Sequence, residues 1–322
     1  MKFTGFRVSR ITFLFLLLGA ITAIGIAVVR TQLPTEDSEI RSPLETLPPG
    51  FETYSEEADR IRTLFSKKKK AQPGEWLYSH DEGGQTFAQY VRARERKPLK
   101  DQFTTIYVQP LGEFDETQLK IVEETAEFLR GYFEMNVEVR DRQPFGEIPD
   151  FATRMRDDTQ QVLSEWILND RLKPDRPDDA IAVIGFVTFD LWMNDLNWVF
   201  GSASLSDRVG VWSLHRNGDP HESDQSYTTC LKRTIKTATH EIGHMYGIPH
   251  CIKYECCMNG SKSRQESDRR PMELCPECQP KIWWTCGAAP SGRSRNLADM
   301  AARYGWTDEV NFWKKQAMLL TR

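Results

Sequence analysis

The chain predicts an α/β (α+β) fold, in which strands alternate with helices, and three observations predict it. Residues 103–111 (FTTIYVQPL) read as a strand, and residues 116–133 follow with Leu119, Ile121, Val122, Ala126, Leu129 and Tyr132 at helical spacing. Residues 180–189 (AIAVIGFVTF) form a nearly continuous apolar run, the mark of a strand covered on both faces. Residues 234–246 carry Ile235, Ala238, Ile242 and Met245, again at helical spacing. Elements in this order pack as layers around one sheet.

The N-terminus is a different material. Residues 11–29 (ITFLFLLLGAITAIGIAVV) hold no charge, and at ~1.5 Å of helical rise per residue such a run nearly spans the ~30 Å hydrocarbon layer of a bilayer. It is expected to be a membrane anchor, since a cleaved signal usually has only ~7–15 apolar residues. Cleavage would instead make the chain secreted or periplasmic. Lys2, Arg7 and Arg10 precede the run, whereas Glu36, Asp37 and Glu39 follow it. The positive-inside bias then leaves residues 1–30 as cytosolic tail and transmembrane helix, with the bulk of the protein outside. Residues 31–74, rich in Pro, Glu, Ser and Thr, read as a flexible stalk ending in the solvated tract Lys67 to Lys70. The globular domain is expected over residues 75–322. Net charge is only -4 with both signs interspersed, so no nucleic-acid partner is implied.

Within that domain Met135, Val137 and Val139 alternate as a second strand. Residues 151–172 read as a further helix buried along Met155, Val162, Leu163, Trp166 and Ile167. Residues 198–205 and 209–215 suggest two strands separated by Ser206, Asp207 and Arg208. Their alternation suits a half-exposed edge, where an extended peptide can add itself as a strand. Gly201, Ser202, Ala203 and Ser204 are therefore candidate substrate-binding residues.

The stretch THEIGHMYGIPHC, residues 239–251, carries the chemistry. His240 and His244 stand four residues apart, so both imidazoles leave one face of the helix and can grip one Zn²⁺. Glu241 is turned by roughly 100° from His240, beside the metal, where it can take a proton from water without ligating. Gly247 can end the helix in the left-handed conformation and Pro249 forbids its continuation, so the chain turns back and His250 supplies a third nitrogen. Three neutral ligands leave zinc an open position for water, the requirement of metal-assisted peptide hydrolysis with Glu241 as general base. His80, His215 and His221 lack such spacing and read as surface or core residues.

HExxHxxGxxH, continued by Cys251, Cys256, Met258, Cys275 and Cys278, resembles the archaemetzincins, which are metzincin zinc metallopeptidases. The resemblance implies a metzincin-like mixed twisted sheet over an active-site helix, followed by a zinc-knuckle segment (residues 251–278) and a C-terminal helix. It also implies a catalytic zinc on His240, His244 and His250, Glu241 as general base, Met258 as an apolar floor beneath the metal, and a peptide or protein substrate. A second, structural zinc on Cys251, Cys256, Cys275 and Cys278 follows from it too. Spacing supports that site independently, because a pair four residues apart and a pair two apart, joined by a longer excursion, suit a tetrahedral thiolate cage. Disulfides are the competing reading for an exported domain. Cys257 neighbours Cys256 and could replace it, although the family pattern selects Cys256; Cys230 and Cys286 read as buried thiols. The basic loop at 261–270 somewhat resembles a nucleic-acid ribbon beside the knuckle, but Glu266 and Asp268 interrupt its charge and it lacks stacking aromatics. A zinc-stabilised protein that binds peptides without cutting them is the alternative reading of the whole.

Overall fold

A computed structural model describes residues 46–94, 98–193 and 196–321. Nine strands appear among them: β1 (Thr105–Pro110), β2 (Asn136–Val139), β3 (Thr153–Arg156), β4 (Thr159–Leu163), β5 (Ala180–Val187), β6 (Asp190–Met193), β7 (Leu196–Val199), β8 (Gly201–Ser204) and β9 (Val209–Ser213). The main sheet runs β2-β1-β5-β9-β8, parallel except for β8, which lies antiparallel on β9 at the edge. It is the mixed sheet expected.

All of β5 is buried, and its alternation explains why a continuous apolar run is needed. Ala182, Ile184 and Phe186 face one core with the helices Glu116–Phe133 and Asp224–Met245, while Val183 and Val187 face a second core with Val162, Ile167 and Leu172. The first helix has the ends that the sequence predicts because Asp115 and Gln118 form a reciprocal cap and Glu134 turns left-handed (φ 49°) at its far end. Asp224–Met245 extends further toward its N-terminus than predicted and is capped by Ser223, whose side chain accepts from the Ser226 N–H.

The predicted helix at 151–172 is overturned. Asp157 and Asp158 both take positive φ (48° and 61°), the two-residue turn of a β-hairpin, so β3 and β4 pair antiparallel. Met155 is 68% exposed, whereas Val162, Leu163, Trp166 and Ile167 are buried; a single 3-10 turn at Asp150–Ala152 precedes the hairpin, and α-helix begins at Ser164–Trp166. The hairpin joins β6 and β7 in a second sheet, ordered β3-β4-β6-β7. The single strand expected at 198–205 is likewise divided: β7 belongs to this second sheet and β8 to the first. Gly201 starts β8 because a Cβ there would stand 2.8 Å from Val211 O and 2.9 Å from the Trp212 ring.

The flexible stalk is corrected over its described part. Glu52–Ile61 is a helix with Ala58 and Ile61 buried, and the helices Gln279–Cys286 and Thr307–Leu320 pack against it. Its aromatic neighbours hold it in place: Phe51 meets Trp284 (ring centroids 5.5 Å) and Phe65 meets Phe312 (5.3 Å). Lys68, expected in a solvated tract, pairs with Glu255 at 3.0 Å. The expected membrane helix at 11–29 lies outside the described residues. Among the described residues no helix is long and apolar enough to cross a membrane.

Candidate active site

His240 and His244 project from the C-terminal end of Asp224–Met245, and their Nε2 atoms approach to 3.1 Å. The helix stops where Gly247 takes φ 78°, with its N–H donating to His244 O (2.7 Å) and the Ile248 N–H to Gly243 O (3.0 Å). That reversal carries His250 back, leaving its ring centroid 5.3 Å from His240 and 4.9 Å from His244. One ligand atom from each histidine lies within 4.8 Å of the others.

The outer nitrogens set the tautomers. His240 Nδ1 is 2.8 Å from Cys257 O, His244 Nδ1 2.8 Å from Ile248 O, and His250 Nδ1 2.8 Å from Glu82 Oε1. A carbonyl or carboxylate oxygen only accepts, so the Nδ1 atoms of His244 and His250 carry the proton and their Nε2 atoms turn a bare lone pair inward; at His240 the Cys257 carbonyl favours the same tautomer, while Arg270 Nη1, a donor, also lies 3.0 Å from Nδ1. With the His240 and His244 Nε2 atoms 3.1 Å apart and His250 closing the group, the three imidazoles converge as a donor set that fits zinc. Burial, then the nearby Arg270 charge, keeps His240 well below the ordinary imidazole pKa, in the neutral form a metal requires.

Glu241 opens on the same cleft, and burial raises its carboxyl pKa. Met258 is fully buried beneath the helix, against Gly243: a Cβ at that glycine would lie 2.4 Å from Met258 Sδ. Its thioether packs under the backbone between His240 and His244. The cleft holds about 740 Å³ and is walled by Trp76, Trp198, Phe200 and Met193, with Gly201 at its rim. Ser202, Ala203 and Ser204 continue from Gly201 along the edge strand without lining the cleft.

The second donor set is also assembled. Cys251, Cys256, Cys275 and Cys278 are all buried, with Sγ atoms within 4.8 Å of one another. Cys251 and Cys275 approach to 3.5 Å, far longer than the ~2.05 Å of a disulfide bond, and all seven cysteines are free. Cys256 Sγ accepts from the backbone N–H groups of Met258 (3.4 Å) and Cys275 (3.2 Å), which favours a thiolate. Hydrogen bonds from Cys256, Cys275 and Cys278 push the Cys251 thiol well down, while burial pushes Cys256 and Cys275 up. Four convergent sulfurs with one readily ionised fit a closed zinc cage. Cys257 points elsewhere, 3.9 Å from Lys236 O, so the fold selects Cys256; Cys230 and Cys286 are buried thiols as expected.

Several functional neighbours escape a reading of sequence. His80, expected at the surface or in the core, lines the cleft, stacked on Trp76 at 3.8 Å between ring centroids. Glu82 holds His250 but sits in a DEGG stretch without periodicity. Arg270, from the basic loop at 261–270, is buried beside the site, donating to Asn259 O (2.7 Å) and Ser267 Oγ (2.9 Å) and lying 3.0 Å from His240 Nδ1. Asn259 spans the knuckle loop, donating to Cys251 O (2.7 Å) and Tyr254 O (2.9 Å) and accepting from the Cys256 N–H (2.9 Å). His221 pairs with Asp115 at 3.2 Å, away from the cleft.

Three inward imidazole nitrogens with a carboxylate beside them, below the open edge of a mixed sheet, define a zinc metallopeptidase. The model of peptidase family M54 matches residues 110–283. The chain belongs to that family, the archaemetzincins. It is 32% identical to rat archaemetzincin-2 over 288 residues, 79% of this chain and 80% of the rat protein. It is 30% identical to the archaemetzincin of Thermococcus kodakarensis over 183 residues, 55% of this chain and 94% of the archaeal one. The crystal structure of archaemetzincin from Archaeoglobus fulgidus complexed with malonate aligns with a TM-score of 0.44 at 30% identity, covering 55% of this chain and 99% of that one.

Proposed function

We propose that this chain hydrolyses peptide bonds with one zinc held by His240, His244 and His250 and a second, structural zinc held by Cys251, Cys256, Cys275 and Cys278. The observation that carries the reading is the set of three inward Nε2 atoms, each fixed by an acceptor on its Nδ1, beside the carboxylate of Glu241. Zinc bound there supplies a Lewis acid that polarises a carbonyl and acidifies water. Glu241 takes the proton from the attacking water and returns it to the leaving amine, and the burial that raises its pKa strengthens it as a base.

The substrate lies as an added strand along β8. Ser213 N donates to Phe200 O at 3.0 Å, and antiparallel pairing alternates from there. Phe200, Ser202 and Ser204 thus turn their backbone groups toward β9, leaving those of Gly201 and Ala203 for an incoming chain. Placement in the cell follows from residues 11–29: a single-pass anchor with the catalytic domain outside, supported by the uncharged run and its flanking charges. Protection of the domain from added protease in sealed right-side-out cells would count against that orientation.

The test is cleavage of a mixed peptide library by the zinc-loaded full chain beside Glu241→Ala and Ala203→Pro. Cuts by the wild type that vanish in Glu241→Ala support the peptidase. Ala203→Pro, which removes an outward N–H, is expected to cost at least tenfold in kcat/KM; unchanged cleavage would exclude strand addition at β8. If the wild type and Glu241→Ala cut the same bonds, the assignment of the general base fails.

A further inference from the structure

The three histidines are not held alike. His240 and His244 lean on backbone carbonyls, whereas His250, on the short return after the helix, leans on a side chain from a distant part of the sequence. Glu82 Oε1 accepts from His250 Nδ1 (2.8 Å) and also from Trp76 Nε1 (2.9 Å). Trp76 in turn sets its ring edge-on to His250 (centroids 5.1 Å, interplanar angle 79°) and stacks face-on with His80 (interplanar angle 4°).

The segment bearing these residues is fastened to the cysteine region. The Trp76 N–H donates to both oxygens of the buried Glu266 (3.0 and 3.2 Å), and its ring covers Gly260 so closely that a Cβ there would lie 2.4 Å from Trp76 Cδ1. Further on, the Phe87 N–H donates to Glu277 Oε1 (2.8 Å), inside the turn between Cys275 and Cys278, and Lys281 Nζ donates to Gln85 O (2.7 Å). A segment so anchored delivers Glu82 at a fixed place.

We infer that Trp76 to Glu82, ahead of the residues 110–283 matched by the family model, is a working part of the active site in which Glu82 is the positioning residue of His250. The carboxylate fixes the tautomer and plane of the third imidazole and makes its inward nitrogen a stronger donor, while Trp76 and His80 form one wall of the cleft. This rests on His250 being a ligand of the catalytic zinc. It gives the N-terminal segment a role in metal retention and couples the cysteine cage to the histidine site through Glu277 and Glu266.

The experiment compares the full chain with Glu82→Ala, Glu82→Gln and His250→Ala. It reads zinc per chain, zinc affinity by chelator competition, Tm, and kcat and KM on a peptide that the wild type cuts. Glu82→Ala is expected to keep the cysteine-bound zinc and to weaken the histidine site by ~10–100-fold, with kcat falling and KM little changed. Glu82→Gln, which retains an acceptor without the charge, is expected to lose less and carries the test if Glu82→Ala melts early. The inference is overturned if both Glu82 variants bind zinc within about twofold of wild type while His250→Ala loses the weaker zinc. If His250→Ala also keeps both zincs, the ligand assignment itself falls, and the role of Glu82 with it.

Discussion

Glu273 offers a measurable test of what holds the cysteine region to the rest of the domain. Its carboxylate and the Arg293 guanidinium are 2% and 1% exposed and meet at 2.7 and 2.9 Å. The same two oxygens accept from Trp313 Nε1 (2.8 Å), the Leu274 N–H (2.8 Å) and Tyr132 OH (3.1 Å), so one side chain gathers the helices Glu116–Phe133, Pro290–Arg303 and Thr307–Leu320 around the residue two before Cys275. Glu273→Ala would strand a buried arginine, whose remaining partner is Tyr132 O, and leave two further donors unpaired. Breaking a buried pair from one side costs ~3–5 kcal/mol, and the lost neutral hydrogen bonds lie partly within that figure. At ~2–4 °C per kcal/mol for a domain approaching this size, Tm should fall by roughly 10 °C. The assay is urea and thermal unfolding at one fixed free zinc concentration, because ligand binding to the native state alone shifts apparent stability. Glu273→Leu with Arg293→Met, which removes both charges, should recover much of the loss. A cost below about 1 kcal/mol for Glu273→Ala, or a double variant as unstable as the single one, would refute the claim that the pair is a structural centre.

Two further outcomes follow from buried groups. Lys236, 4% exposed, donates to Ser267 O (2.7 Å) and Asp268 O (3.0 Å), and burial, with the Arg270 charge next, lowers its pKa from 10.5 to about 8. Between those values the unfolded chain keeps a proton that the native chain has lost, so stability relative to Lys236→Met should rise from pH 8 to pH 10.5, by up to ~3 kcal/mol; urea unfolding of both proteins across that range checks it, and a flat difference contradicts it. Gly243→Ala places a Cβ 2.4 Å from Met258 Sδ and should loosen the catalytic zinc several-fold while sparing the cysteine-bound one, as zinc counting after mild chelation would show.

The sequence was most legible where spacing is local. His240 and His244 follow from one helical turn, and Glu116–Phe133 from a stripe and a cap that lie within it. The hairpin of β3 and β4 was misread because Met155, Val162 and Trp166 happen to fit a helical template, although the two aspartates between them were a turn signal. At Glu52–Ile61 the polar composition outweighed Tyr54, Ala58, Ile61 and Phe65, whose three- and four-residue steps mark a buried face. Spacing alone does not separate Cys256 from Cys257, since adjacent residues differ in direction, and the fold shows the difference that the family pattern implies.

The supports of the metal site show why ligands are easier to read than the groups that hold them. A ligand must be one of few residue types at a few separations, and so leaves a motif. The Nδ1 partners of His240 and His244 are backbone carbonyls, which any residue supplies, and no side chain at Cys257 or Ile248 records the role. Of the three Nδ1 acceptors, only that of His250 is a side chain, and it lies 168 residues away, beyond any pattern that periodicity can register. It follows that ordinary substitutions at 248 and 257 leave the first two acceptors in place as long as the backbone holds. At position 82, by contrast, a change of one residue type acts directly on His250, the proposed third ligand of the metal. Variation in zinc affinity among chains carrying the same three histidines should therefore track the residue at the position of Glu82 more than any near the motif.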